Sequence, residues 1–320
     1  MMYKPVLTAI ASAMVLAACG GGSSSDQNNN NTTEPAQKTT VSVGVSDAAV
    51  NNLEEVNLVI QRLTFRGAGQ DDVTFDTLDA QGNPMKINLL DYTGDDFYLV
   101  VNDQEIAAGN YEWIRADIVN GSNGANFDMV SNVRFLDGSQ APLAVTRKGN
   151  DGIGEIQLND FSLNEGENQI VLEFDLNKAL LKRGNDDTVY LKPTAVRLEN
   201  LLTSFEIEGT VSEALKNACI ADNADLVPAV GEYKHVVYLY QADVEVPSDI
   251  SEADSAPVAT ANVDAESEYE LAFIGAGDYK LGYSCLGHLD DVETNDTNFS
   301  LYQTKEVTVS QDTEVNFDIN

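Results

Sequence analysis

The residues best suited to chemistry lie near the C-terminal end, in Asp290-Asp291-Val292-Glu293-Thr294-Asn295-Asp296-Thr297-Asn298. Carboxylate and amide oxygens one to three residues apart can wrap a hard cation. Asp290, Asp291, Glu293, Asn295 and Asp296 are therefore candidate Ca²⁺ ligands. The loop is not an EF-hand, because the glycine and the terminal bidentate glutamate of that motif are out of place. A solvated acidic loop is the competing reading. The two histidines, His235 and His288, stand far apart in sequence and lack the converging His, Cys or carboxylate partners of a zinc site, so both are read as surface residues. There is no Gly-x-Ser-x-Gly, no Walker loop and no Gly-x-Gly-x-x-Gly. No catalytic residue and no cofactor beyond the calcium candidate is assigned. A glycosidase pair of carboxylates leaves no sequence signature in a chain this acidic.

Cysteine chemistry is more specific. Lys4 precedes an uncharged apolar run from Val6 to Leu16, then Leu16-Ala17-Ala18-Cys19, then a Gly-, Ser- and Asn-rich stretch. That is the layout of a secretory signal peptide, too short for a membrane-spanning helix. Leu16-Ala17-Ala18-Cys19 resembles the lipobox of bacterial lipoproteins. The resemblance implies cleavage before Cys19 and acyl chains, palmitate among them, on that residue. With Gly20 following, it implies the outer membrane, facing the periplasm or the cell surface. Two or more chains give stable anchoring, since each buried methylene contributes about 0.8 kcal/mol. Ordinary secretion with a free Cys19 thiol is the alternative. Once Cys19 is lipidated, Cys219 and Cys285 remain as an even pair in an oxidising compartment, which reads as a disulfide. Cys219 is expected in a loop and Cys285 at a strand end.

The elements that must position these groups follow a tether. Residues 20–38 show no apolar periodicity and are expected to be a flexible coil spanning roughly 25 Å. The chain as a whole carries 52 acidic and 18 basic side chains, a net charge of −34, which excludes nucleic-acid partners. Its 43% hydrophobic content is ample for a core. Alternation begins at Val41-Ser42-Val43-Gly44-Val45 and continues at Val56, Leu58 and Ile60, where a phase change before Leu63 and Phe65 predicts a bulge. Strands are expected at 73–78 and 85–90 about the turn Gln81-Gly82-Asn83-Pro84, and at 133–135 and 143–145 about Asp137-Gly138. Further strands are expected at 156–163 and 170–174, and at 189–198 with Pro193 forcing an edge or a break. Only Asp175 to Arg183 reads as helical.

Val41 to Val50, the strand at Val56–Phe65, Ile87-Asn88-Leu89-Leu90-Asp91 and Ala107 to Arg115 resemble domain-of-unknown-function family 4382 (DUF4382). The resemblance covers roughly residues 39 to 200. It implies a β-sandwich behind a lipid anchor and carries no activity. Where such families show Asp-Ala-Pro, this chain has Asp47-Ala48-Ala49.

Ile106-Ala107-Ala108-Gly109-Asn110-Tyr111 recurs in kind as Ile274-Gly275-Ala276-Gly277-Asp278-Tyr279, each a tight turn opening a strand. With strands at 205–211, 236–240, 258–263, 269–273, 279–285, 305–309 and 313–319, the second region resembles the transthyretin-like, carboxypeptidase-regulatory-like sandwich.

The expected fold class is thus all-β: two Greek-key, prealbumin-like β-sandwich domains after a signal peptide and disordered tether. The boundaries are 1–18 for the signal peptide and 19–38 for the lipidated cysteine and tether. The sandwiches span 39–201 and 202–320. Function is expected to be a non-enzymatic binding or structural module, held to a membrane by its N-terminal lipid, with a protein or glycan partner. A calcium-dependent adhesion protein, or an enzyme or accessory acting on extracellular polysaccharide or peptide, are the alternatives. Trp113, the sole tryptophan, alternates as a core residue would.

Overall fold

The computed structural model describes residues 37–48, 53–69, 71–184, 186–229, 231–251 and 254–319. The signal peptide, Cys19, the tether to residue 36 and Ala49 lie outside them. The architecture is all-β, as alternation requires.

Residues 38–200 form two facing sheets. One has four strands, in the order Val196–Asn200, Gly166–Asp175, Lys38–Ala48, Tyr98–Ala107. No two neighbours there are consecutive in the chain, so every connection leaves the sheet. Lys38–Ala48 runs parallel to Gly166–Asp175 over ten residue pairs and antiparallel to Tyr98–Ala107. The other sheet has nine strands built about the long strand Leu53–Gly67. The phase change after Ile60 is a register shift against Gly109–Val119, which is the expected bulge. Val73–Asp76 and Met85–Asn88 do not pair as strands with each other; both lie along Leu53–Gly67, end to end. Apolar residues of the two sheets interdigitate into one core, with Val41, Val43, Leu58, Leu63, Phe65 and Phe174 fully covered.

The helix expected over 175–183 is cut short. Only Leu176–Ala179 is helical, capped by the Asp175 side chain, and Leu180–Lys182 pairs as a strand with Val189–Leu191. The ladder outcompetes local helix preference because it buries Leu181 and Leu191. Pro193 breaks the following strand into Val189–Leu191 and the edge strand Val196–Asn200, with a 3₁₀ turn between them.

The second sandwich comprises a three-stranded sheet (Glu268–Gly275, Ser204–Thr210, Thr313–Glu314) and a four-stranded sheet (Ala259–Asn262, Val236–Gln241, Gly277–Ser284, Gln303–Val309). Past Glu314 the expected strand survives only as a single bridge at Phe317. One element differs in kind. Glu213–Asp222 is a helix, so Cys219 lies on a helix and not in a loop. Ser212 caps it by accepting from the Leu215 amide at 3.3 Å, the local signal that starts it.

The repeated Gly-x-Tyr motif proves to be a structural repeat as well. Each copy carries the chain from one sheet to the facing sheet through a single residue, Ala108 or Ala276. In each, the tyrosine hydroxyl donates to the carbonyl four residues back. Tyr111 reaches Ala107 at 2.7 Å and Tyr279 reaches Gly275 at 3.0 Å. The hydroxyl locks the corner, which explains why tyrosine recurs there.

Cys219 and Cys285 form a disulfide, Cα atoms 6.1 Å apart, pinning the helix to the four-stranded sheet. Both cysteines are fully buried among Leu215, Leu281 and Phe317. Replacing both with alanine removes a cross-link closing a loop of about 66 residues, worth about 4 kcal/mol in the chain-entropy account. Urea unfolding of the reduced or doubly substituted protein is expected to show that loss.

Candidate functional site

The two sandwiches meet along a polar seam, and residues 36–320 form one compact unit. Asp175 ends the central strand Gly166–Asp175 with both carboxylate oxygens across the seam. Thr260 donates to them from its amide and its hydroxyl, each at 2.8 Å. Arg197, on the edge strand, pairs with Glu173 and with Glu199 and also donates to the carbonyls of Ala272 and Phe273 in the second sandwich. Lys178 donates to the carbonyl of Pro257 at 2.6 Å, and Lys234 donates to Asn177 Oδ1 at 2.7 Å. Two apolar contacts flank these bonds: Leu181 among Val236, Tyr238 and Tyr240, and Val171 against Ala272 and Phe273.

The seam is electrically lopsided. Burial, then Asp175 and Glu173, raise the Asp47 carboxyl well above the usual range. Burial likewise raises Glu173, although Arg197 opposes it, and raises Asp175 and Glu199. Asp47 is 1% exposed; its Oδ1 accepts from the Leu176 amide at 3.4 Å, while Oδ2 has no hydrogen-bond partner among the described residues.

Two clefts open on this seam. The first, about 390 Å³, is lined by Asp47 and Glu173 within and by Glu208, Asp264, Glu268, Glu270 and Glu314 further out. No Lys or Arg is among its described lining residues. Glu270 is pushed up to about 7 by partial desolvation and by the adjacent Glu206 and Asp95 carboxylates. Gly94, at φ +66, faces the Glu270 carboxylate, where a side chain at that position would collide with it. The second cleft, about 1020 Å³, is mixed, with Phe135, Leu136, Leu176 and Val189 beside Lys182, Lys234 and His288.

The acidic loop predicted from the sequence borders this second cleft through Asp290, Asp291 and Glu293, but its side chains do not converge. Asp290 turns inward, accepting from the Tyr238 hydroxyl at 2.7 Å and the Ile250 amide at 3.0 Å, and burial pushes it up to about 6. Asp291 accepts from the Glu293 and Thr294 amides, Glu293 pairs with Arg183 at 3.2 Å, and Asp296 accepts from the Asn298 amide. Asn295 sits in the same loop. Among the described residues, no group of three or more His, Cys, Asp or Glu is placed to hold a metal ion.

The histidines are not surface residues. His235 is half-buried, its Nδ1 2.7 Å from the Tyr283 hydroxyl, and burial lowers it to about 4. His288 Nε2 donates to the Leu226 carbonyl at 2.9 Å, with its ring edge-on to Tyr233. Trp113 lies on the outer sheet face, half-buried between the guanidinium groups of Arg66 and Arg115, 4.9 and 4.8 Å from its ring. Its alternation was real, but its phase places it opposite Ile114, which takes the core.

Residues 38–193 match the family model of a domain of unknown function, DUF4382. The match spans just under half of the chain and coincides with the first sandwich. No curated protein matches the chain. Solved structures with similar stretches include the shaft pilin SpaA from Lactobacillus rhamnosus GG (8% identity, covering 88% of this chain and 96% of that one, TM-score 0.23). Another is a putative adhesin from Bacteroides ovatus (9% identity, 94% and 100%, TM-score 0.17). A third is the Bacillus anthracis TIE protein (10% identity, TM-score 0.19), which covers 88% of this chain but matches only 34% of its own length. No helix among the described residues is long and apolar enough to cross a membrane.

Arg197→Ala strands Glu173 in the seam and is expected to cost about 3–5 kcal/mol in urea unfolding. Thr260→Val removes one of the two donors to Asp175 and is expected to cost about 1–3 kcal/mol. The raised carboxyls hold protons more tightly in the folded protein than in the unfolded chain. Their stabilisation is therefore complete below the ordinary carboxylate range and is lost as pH rises through about 7. His235 acts the other way, favouring the fold as pH rises from about 4 to its ordinary value. Above that value His235 no longer contributes. The melting temperature is expected to fall between about pH 6.5 and 8, and Glu270→Gln to flatten the fall.

Proposed function

We propose that this chain is a non-enzymatic binding module of the cell envelope, tethered by an acylated Cys19, with its recognition surface on the seam between the sandwiches. The observation that carries the reading is the seam itself. Two β-sandwiches are joined by buried hydrogen bonds into one unit, and both clefts open where they meet, the position at which ligand sites form between packed lobes. The loop carboxylates that a cation would need are engaged by Tyr238, Ile250 and Arg183, which favours a binding role at the clefts over a calcium-dependent one.

The anchor supports an envelope address. Leu16-Ala17-Ala18-Cys19, followed by a tether of small polar residues, fits a lipoprotein of the outer membrane. Metabolic labelling with a palmitate analogue is expected to mark the wild-type protein and not Cys19→Ser. Unlabelled wild type would remove the anchor from the reading. Crosslinking in intact cells followed by purification is expected to recover a stoichiometric partner, and substitutions lining the clefts to reduce that recovery. Recovery unaffected by such substitutions would place recognition elsewhere on the surface.

A further inference from the structure

The acidic cleft differs from an ordinary acidic surface in what lies at its base. Asp47 is buried, lines the cleft and leaves Oδ2 without a donor among the described residues. An unpaired buried carboxyl oxygen is costly, and proteins rarely keep one without a proton or a ligand. The groups around it do not neutralise it. Asp47, Glu173, Asp175 and Glu199 crowd the seam against two cations, Arg197 and Lys178, both already bonded to carbonyls across it. Glu208, Asp264, Glu268, Glu270 and Glu314 also line the cleft, with no Lys or Arg among its described lining residues.

We propose that this cleft binds an ammonium group, with Asp47 as its innermost acceptor and Glu270 and Glu208 closing over it. The group is the side chain of a lysine on a protein partner or the terminus of a free polyamine, which present the same chemistry. An ammonium carries three donors and no acceptor, which suits a wall of acceptors spread over about 390 Å³. A small metal ion needs its oxygens drawn to within about 2.6 Å, and no described set of three such residues converges in that way. Burial raises the Asp47 and Glu270 carboxyls, and an entering ammonium favours their charged forms, so binding is expected to release protons.

This deepens the binding-module reading. Its test uses small molecules, so it succeeds or fails whether or not a cellular partner is recovered. The chain is titrated by calorimetry with spermidine, with Nα-acetyl-lysine amide and with calcium chloride, at about 0.15 M salt to screen the exposed charges. Saturable amine binding with buffer-dependent heats is expected. Asp47→Asn keeps an acceptor for the Leu176 amide and is expected to weaken binding about tenfold or more. Loss at a buried residue does not follow from screening of surface charge. Binding of both amines points to a protein lysine, and binding of spermidine alone to a free polyamine. Glu270→Lys places an ammonium in the cleft and is expected to abolish amine binding, so the proposal stays testable should Asp47→Asn fail to fold. Absence of saturation with either amine, equal affinity in Asp47→Asn, or saturation by calcium alone would overturn it.

Discussion

Everything distinctive about this molecule depends on one buried bond set, the Asp175 carboxylate held by the amide and hydroxyl of Thr260. It joins the end of a central strand in the first sandwich to a strand of the second. Removing a carboxylate from water is costly unless its oxygens are satisfied, so this contact holds only while the sandwiches stay packed. It fixes their relative placement more sharply than the apolar patches of Leu181 and Val171 could, because hydrogen bonds are directional and oily contacts are not.

The same contact explains why charge accumulates where it does. A strand ending in Glu173-Phe174-Asp175 beside one ending in Ser46-Asp47 gathers three carboxyls at one edge of the sheet. Arg197 is the answer on the neighbouring edge strand, placed opposite Glu173 by the ladder register. One guanidinium cannot match all the acids, and Lys178 is drawn off to carbonyls across the seam. The excess falls on Asp47, whose carboxyl is pushed well above its ordinary range by burial and then by the Asp175 and Glu173 charges. The acidic cleft is thus a by-product of sheet register as much as of composition.

Strand positions were readable in the chain because alternation reports which face meets the core. Val41-Ser42-Val43-Gly44-Val45 and the bulge after Ile60 are examples. The disulfide was readable from cysteine count and compartment. The helix at Glu213–Asp222 was missed although Ser212 and the run Glu213-Ala214-Leu215-Lys216 announce it, because the surrounding strands dominated the pattern. The Leu180–Lys182 strand was misread because it takes its identity from a partner further along the chain. The seam was invisible for the same reason. Asp175 and Thr260 are 85 positions apart, and nothing local marks either as a partner. Nor could spacing reveal that Asp290 would turn toward Tyr238 instead of toward an ion.

Lys38–Ala48 is the first described strand, and it sits between two neighbours in its sheet. Its far end delivers Asp47 to the seam. Tension entering at Lys38 and borne by the second sandwich therefore travels along the strand axis, in line with its ten-pair ladder to Gly166–Asp175. Such a pull slides the strand against its neighbours and strains many backbone bonds together, whereas a pull across the sheet would open them one by one. The fold is thereby built as a stiff mechanical coupling, passing force from Lys38 to the clefts without unravelling at its first described strand.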